Sequence, residues 1–210
     1  MMKVLAIGAH PDDIEFGCGG TLALHVESGH EVYLLIMTEG HKGGDLAVRK
    51  SEQLAAADVL KPKGVFWGGY GDTELSPNMN QLVHDIETII KKIDPDLIFV
   101  NHEEDTHQDH RALSKAAISA TRYVKNVLFY EGPTTQRFSP NVFVDIQETI
   151  DAKIDMLLAH HSQVSKTNIE GLSIVDIARS TANFRGIQGR VQFAESFVPL
   201  RYFMRMRKPL

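Results

Sequence analysis

An α/β fold, with a Rossmann-like, mostly parallel sheet flanked by helices on both faces, is predicted by three features of the sequence. Short continuous apolar runs recur at residues 4–7, 32–37, 65–67, 97–100 and 127–130, the signature of strands buried on both faces. Stretches with helical apolar spacing or high alanine content separate them, and strands alternating with helices build β-α-β units. Two clusters of His and Asp, at residues 10–13 and 102–110, each directly follow one of these runs. Ligands gather at such carboxyl ends of strands in open α/β sheets.

In chain order, residues 4–7 form the first strand, residues 21–26 a helix stopped near Gly29, and residues 32–37 the second strand. The Ala-rich helix at 46–60 closes before Pro62, because the residue preceding a proline is pushed out of the helical region. Residues 65–67 are a short strand, and 81–93 place Leu82, Ile86, Ile89 and Ile90 on one helical face. A strand at 97–100, a helix at 112–124 and a strand at 127–130 continue the alternation. Beyond Gly132 the pattern loosens into a turn-rich stretch through Pro140, a strand at 142–146, and helices at 150–161 and 170–187. Residues 192–203 mix aromatic and β-branched side chains, which suits either a last strand or a wrapping tail. One domain over residues 1–210, less regular from about residue 132, accounts for the chain.

A formal charge of −5 argues against a nucleic-acid partner, since phosphate binding draws on clustered Lys and Arg. The local exception is Arg201, Arg205, Arg207 and Lys208, read as a solvated terminus or a subunit contact. Cys18 is the only cysteine, which excludes an intrachain disulfide and suits the reducing cytoplasm. A metal site must therefore rest on His and carboxylates. The apolar stretch before Gly8 is too short for a signal-peptide core or a membrane span.

His10, Asp13 and His110 offer two imidazoles and one carboxylate, a set that leaves positions open for water and substrate around Zn2+ and equally suits Fe2+. Asp12 is the candidate general base, taking the proton of a water that the metal has acidified. A protonated His107 would stabilise the oxyanion and then protonate the leaving amine, with Asp109 or Asp105 orienting it and raising its pKa. Glu103 and Glu104 read as a solvated acidic loop, with Asp105 as the exception. Arg49 and Glu52, three apart on a helix, form either an ion pair on a solvated face or a site where Arg49 reaches over the strand ends to a hydroxyl-rich substrate. The glycine-rich loop before them would then be a lid. Gly17, Gly19 and Gly20 lack the full dinucleotide fingerprint, and close helix–strand packing explains them more simply.

Taken together, Ala9-His10-Pro11-Asp12-Asp13 with Gly19-Gly20-Thr21, Thr38-Glu39-Gly40, Arg49 with Glu52, His107-Gln108-Asp109-His110, His160 with Ser162-Gln163, and Ala194-Glu195-Ser196-Phe197 resemble the PIG-L, or LmbE-like, family of metal-dependent N-deacetylases. The resemblance implies a zinc enzyme that removes the acetyl group from the N-acetylglucosamine unit of a small sugar conjugate. It implies His10, Asp13 and His110 as ligands, Asp12 as base, His107 as electrostatic partner with Asp109 behind it, and Arg49 as a substrate contact. With the aromatic tail, it also suggests a homo-oligomer. Cleavage of another amide conjugate of an amino sugar, or metal-stabilised sugar binding without turnover, are the alternatives, and the presence of a base disfavours the second.

Overall fold

The computed structural model describes residues 1–203, so Arg205, Arg207 and Lys208 lie outside the described residues. The chain runs β1 (Lys3–Gly8), α1 (Asp13–Glu27), β2 (Glu31–Thr38), α2 (Leu46–Leu60), β3 (Gly64–Tyr70), α3 (Met79–Ile93), β4 (Leu97–Asn101), α4 (Gln108–Ala120), β5 (Asn126–Tyr130), β6 (Val142–Asp145), α5 (Ile150–Ala159), α6 (Ile174–Gly189) and β7 (Ala194–Arg201). The seven strands form one sheet in the order β3-β2-β1-β4-β5-β7-β6. The first five are parallel, and β7 is antiparallel to both of its neighbours.

Alternation along the strands, with a period of two, sends side chains to two separate cores. Leu5, Ile7, Leu35, Ile98 and Val100 pack under Leu82, Ile86, Leu113 and Ala117 of α3 and α4. Val4, Ala6, Leu34, Ile36 and Phe99 pack under Leu22 of α1, Ala56 of α2 and Met156 of α5. The strand order reverses between β1 and β4, which share a register pairing Val4 with Leu97 and Ile7 with Val100. The loops leaving their carboxyl ends diverge there and open a cleft.

Helix α1 begins at Asp13, well before the expected residue 21. All ten residues from Ile14 to Ala23 are buried, so this part of the helix has no solvent face and shows no helical periodicity. Its glycines lie inside the helix, not in a turn ahead of it. A Cβ on Gly17 would fall 2.0 Å from the Tyr130 ring, and one on Gly20 3.0 Å from Ile146. Close packing is therefore what these glycines serve. Helix α4 likewise starts early, at Gln108, because His107 caps it: the Asp109 N–H donates to His107 Nδ1 at 3.2 Å.

The last stretch is a strand, not a wrapping tail, and its Glu195 reaches into α1. The Glu195 carboxylate accepts from Gly20 N at 3.0 Å and Thr21 N at 2.7 Å. The Lys153 ammonium donates to Glu195 Oε1 at 2.5 Å, to Glu15 O at 3.2 Å and to Phe16 O. This buried pair splices the middle of α1 to α5 and β7, every charge meeting a hydrogen-bond partner as burial requires. Arg201, of the basic group near the terminus, is half-buried and tied to the end of α4: it donates to Thr121 O at 2.6 Å and Val124 O at 3.0 Å.

Candidate metal centre and catalytic cleft

Three strand ends are tied together beneath the cleft. Asn101 Oδ1 accepts from Ala9 N at 3.1 Å, and the Tyr130 hydroxyl lies 2.9 Å from Ile7 O and 3.0 Å from the same Asn101 oxygen. After β1 the chain turns sharply through Asp12, which sits at φ 91°, and α1 starts with Asp13. A positive φ on a residue with a Cβ is uncommon and holds only where surrounding contacts enforce it. The turn sends the two aspartates to different places.

Asp13 faces the histidines. Its Oδ2 is 3.5 Å from His10 Nδ1, and its Oδ1 is 3.2 Å from His110 Nε2. The outer nitrogen of each imidazole meets another carboxylate: His10 Nε2 is 3.2 Å from Asp109 Oδ2, and His110 Nδ1 is 3.2 Å from Asp105 Oδ2. Histidines that bind metals commonly hold their second nitrogen on a carboxylate in this way. Asp105, buried unlike Glu103 and Glu104, is itself fixed by His107 N and by the Thr134 and Thr135 hydroxyls.

The electrostatics match this pairing. Burial works against charge on His10, but the Asp109 and Asp13 carboxylates overcome it and lift its pKa to about 9. Burial likewise opposes charge on His110, and Asp13 and Asp105 raise it to about 10. Burial would lift Asp13, yet the two histidines hold it well below the usual carboxylate range. Both imidazoles thus favour their protonated form beside the Asp13 carboxylate. Borderline-soft nitrogen and hard oxygen donors fit a divalent cation, which would displace protons from the two rings. A nitrogen of His107 also lies within 4.8 Å of nitrogens of His10 and His110, so the three imidazoles form a single cluster.

The Asp109 side chain does not back the His107 ring, as sequence reasoning expects. It accepts from Thr73 N at 2.6 Å, lies on His10, and is fully buried. Only its backbone N–H reaches His107. Nor is the His107 pKa raised; burial and the charges on His10 and His110 push it down. Because Nδ1 accepts the Asp109 N–H, the neutral ring carries its proton on Nε2.

Arg49 and Glu52 are both buried, so the solvated-face ion pair is also corrected. The Arg49 guanidinium places Nη1 and Nη2 each 3.1 Å from Asp12 Oδ2, and Nη2 also donates to Pro11 O at 2.6 Å. Burial raises the Asp12 pKa, with Arg49 and His160 pulling the other way. Glu52 accepts from Ser162 N at 2.7 Å and Ser162 Oγ at 2.8 Å, which accounts for the link between the Arg49–Glu52 and His160–Ser162 motifs.

A cavity of about 460 Å3 opens over this centre, bordered by His10, Asp12, Asp13, His107 and His110 at its floor. Phe16, Ile174 and Ile177 form an apolar wall, and Lys42, Gln163 and Lys166 a polar one. Gly132, Pro133 and Thr134 complete the rim. Sequence reasoning passed over Gln53, Asp72 and Thr73. Asp72 shapes the glycine-rich loop by accepting from Gly40 N and Lys42 N, both at 2.8 Å. Its one signal is that Gly71-Asp72-Thr73 also follows a strand, β3.

The profile of the PIG-L family, described as GlcNAc-PI de-N-acetylase, matches residues 5–121. The chain belongs to the PIG-L family. An uncharacterized deacetylase of Escherichia coli K12, YaiS, is 35% identical over 167 residues, covering 76% of this chain and 90% of that protein. Diacetylchitobiose deacetylase of Thermococcus kodakarensis is 29% identical over 192 residues, covering 77% of this chain and 70% of that protein. Among solved structures, N,N'-diacetylchitobiose deacetylase of Pyrococcus horikoshii, complexed with its inhibitor MPG, superposes with a TM-score of 0.84 at 27% identity, covering 95% of this chain and 84% of that one. The PIG-L match takes in His10, Asp12, Asp13, Arg49, His107 and His110 and stops before β5.

Proposed function

We propose that this protein is a zinc-dependent N-deacetylase that hydrolyses the acetamide of an N-acetylglucosamine-type sugar conjugate, releasing acetate and a free amine. The observation that carries the reading is the Asp13 carboxylate set between His10 Nδ1 at 3.5 Å and His110 Nε2 at 3.2 Å, with Asp12 beside them on an open cavity. Membership of the PIG-L family and similarity to the diacetylchitobiose deacetylases support the choice of substrate.

His10, Asp13 and His110 would hold the cation, which supplies Lewis-acid chemistry by polarising the acetamide carbonyl and acidifying water. Asp12 accepts the proton of the attacking water through Oδ1, its oxygen not taken by Arg49, and returns that proton to the departing nitrogen. A raised pKa suits both halves of that exchange. Neutral His107 donates Nε2–H to the carbonyl oxygen as charge develops there. The single cysteine, buried Cys18, supports a cytoplasmic location. Exposed Phe184, Ile187, Tyr202 and Phe203 support self-association. Among the described residues, no helix is long and apolar enough to cross a membrane.

The test is acetate release by zinc-loaded protein from N-acetylglucosamine, its disaccharide, its malate and inositol glycosides and a nucleotide conjugate, with His110→Ala as control. Release that vanishes in the control is the expected outcome. No release at confirmed zinc occupancy transfers the reading to another amide conjugate or to sugar binding without turnover.

A further inference from the structure

We propose that the polar wall of the cavity is a subsite for an anionic aglycone, whose carboxylate or phosphate is held by Lys42 and Lys166; the proposal rests on the deacetylase reading above. Two separate loops build this wall. Lys42 belongs to the glycine-rich loop after β2, whose backbone Asp72 fixes by accepting from Gly40 N and Lys42 N. Lys166 belongs to the segment between α5 and α6. The two loops meet at Gly43, whose carbonyl accepts from Gln163 Nε2 at 3.2 Å and from the Lys166 ammonium. The first loop passes close over the cleft floor: a Cβ on Gly40 would stand 2.9 Å from Arg49 Nε and 3.1 Å from Pro11. Both lysines border the cavity and are exposed, whereas Asp12, Asp13 and His110 at its floor are half-buried or buried.

The chain carries 27 acidic and 22 basic residues, yet this wall is positive. The carboxylates bordering the cavity are Asp12 and Asp13, which lie at the floor, and Asp72. Asp72 is taken up by two backbone N–H groups, with His41 Nδ1 3.8 Å away. Among the described residues neither lysine forms an ion pair, and Lys166 spends one of its three ammonium hydrogens on Gly43 O. The apolar wall of Phe16, Ile174 and Ile177 offers no competing charge. A conjugate that is neutral at its acetamide and anionic at its far end is drawn in by one orientation. The floor carboxylates repel the anion and the lysines hold it, which leaves the acetamide at the metal centre. An ammonium is a point charge on a flexible stem and takes a carboxylate or a phosphate alike. The wall therefore selects for charge, and not for the shape of one anion.

The experiment measures kcat/KM of the zinc-loaded wild type on two anionic conjugates of N-acetylglucosamine, its malate glycoside and its 1-phosphate, and on two neutral ones, its disaccharide and its inositol glycoside. The measurement is repeated with Lys42→Met, Lys166→Met, the double variant, Lys42→Arg and Lys166→Arg. The readout is the ratio of anionic to neutral kcat/KM, because a variant that merely loosens the loops lowers both together. We expect the wild type to favour an anionic conjugate by about tenfold or more, and each Met variant to cut that ratio by about three- to fivefold through KM, the scale of one exposed charge pair. The double variant should abolish the preference, and each Arg variant should keep it. The preference should also shrink as sodium chloride is raised from about 0.05 to about 0.5 M, since exposed pairs are screened. Whether the malate or the phosphate arm carries the preference identifies the anion. Equal or better use of the neutral conjugates by the wild type, a ratio unmoved in the double variant, or a preference that salt leaves intact overturns the proposal. Equilibrium titration of the same conjugates into Asp12→Asn protein, with and without both Met substitutions, separates this proposal from the reading it rests on. If the wild type releases no acetate from any conjugate, the deacetylase reading fails by itself and the titration decides. Tighter binding of an anionic conjugate that the Met substitutions remove upholds the lysine subsite, and no such difference overturns it.

Discussion

Asp12 and Asp13 are neighbours in sequence with opposite surroundings. Asp13 lies between two imidazoles that lower its pKa, whereas loss of solvent raises that of half-buried Asp12 against the pull of Arg49. On the proposed mechanism, Asp12→Asn is therefore expected to bind zinc as the wild type does, by elemental analysis after loading, and to lose between about 10²- and 10⁴-fold in kcat, the range a general base contributes. Loss of zinc in that variant would undo the division of labour. Asp109 makes a different prediction from the one its sequence position suggests. Because its carboxylate holds His10 and the Thr73 N–H, Asp109→Ala should weaken zinc binding roughly 10- to 100-fold in a chelator competition, as loss of a supporting carboxylate does. Undiminished affinity would mean that the His10 contact does not support the ligand.

At the scale of elements, α1 is the member on which the site depends, since its first residue is Asp13 and its wall residue Phe16 borders the cavity. The helix is set by contacts that leave no room along one side. Gly17 faces the Tyr130 ring, and the Tyr130 hydroxyl in turn touches Ile7 and Asn101 under the cleft. Gly17→Ala should destabilise the fold by about 2–3 kcal/mol, read as a shift in the urea midpoint, because the added methyl meets a ring that has no free volume to enter. A midpoint equal to that of the wild type would show that α1 can slide away from β5 without loss. Helix α2 plays the complementary part: the buried residues of its first half, Arg49, Glu52 and Gln53, are polar and contribute hydrogen bonds to the cleft, while Ala56 and Leu60 of its second half join the core.

For the whole molecule, the parallel sheet brings residues from β1 and β4, distant in sequence, to one edge, and the result is a concentrated charge cluster with a defined pH response. His10 and His110 have pKa values raised from 6.5 to about 9 and about 10. In the metal-free protein their ion pairs with Asp13, Asp105 and Asp109 are fully present below pH 6.5 and are lost as the pH rises through 9 to 10. The thermal midpoint of the metal-free protein should therefore fall across that window. Zinc affinity should move the other way, tightening as the pH rises, because the cation competes with those two protons. Titration calorimetry near pH 7 in buffers of different ionisation enthalpy should detect proton release, approaching two per zinc. No release would mean that both imidazoles are already neutral without metal.

The sequence by itself determined the fold class, the order of the strands along the chain and the family, because each rests on local pattern: apolar runs of strand length, helices between them, and polar clusters placed directly after strands. It also named the side chains that the strand ends would deliver. Residues 21–26 were an underestimate of α1 because a helix buried all round carries no amphipathic period, and its glycines mimic a loop. Only the tertiary structure decided which carboxylate serves which imidazole. Asp109 is two residues from His107 yet its side chain lies on His10, since the first turn of α4 points successive side chains in different directions and β1 brings His10 across the cleft. The same holds for Arg49 and Gln53: their spacing marks one helical face, but that this face closes on the Asp12 turn depends on how α2 packs beside α1, a contact between segments that no local pattern records.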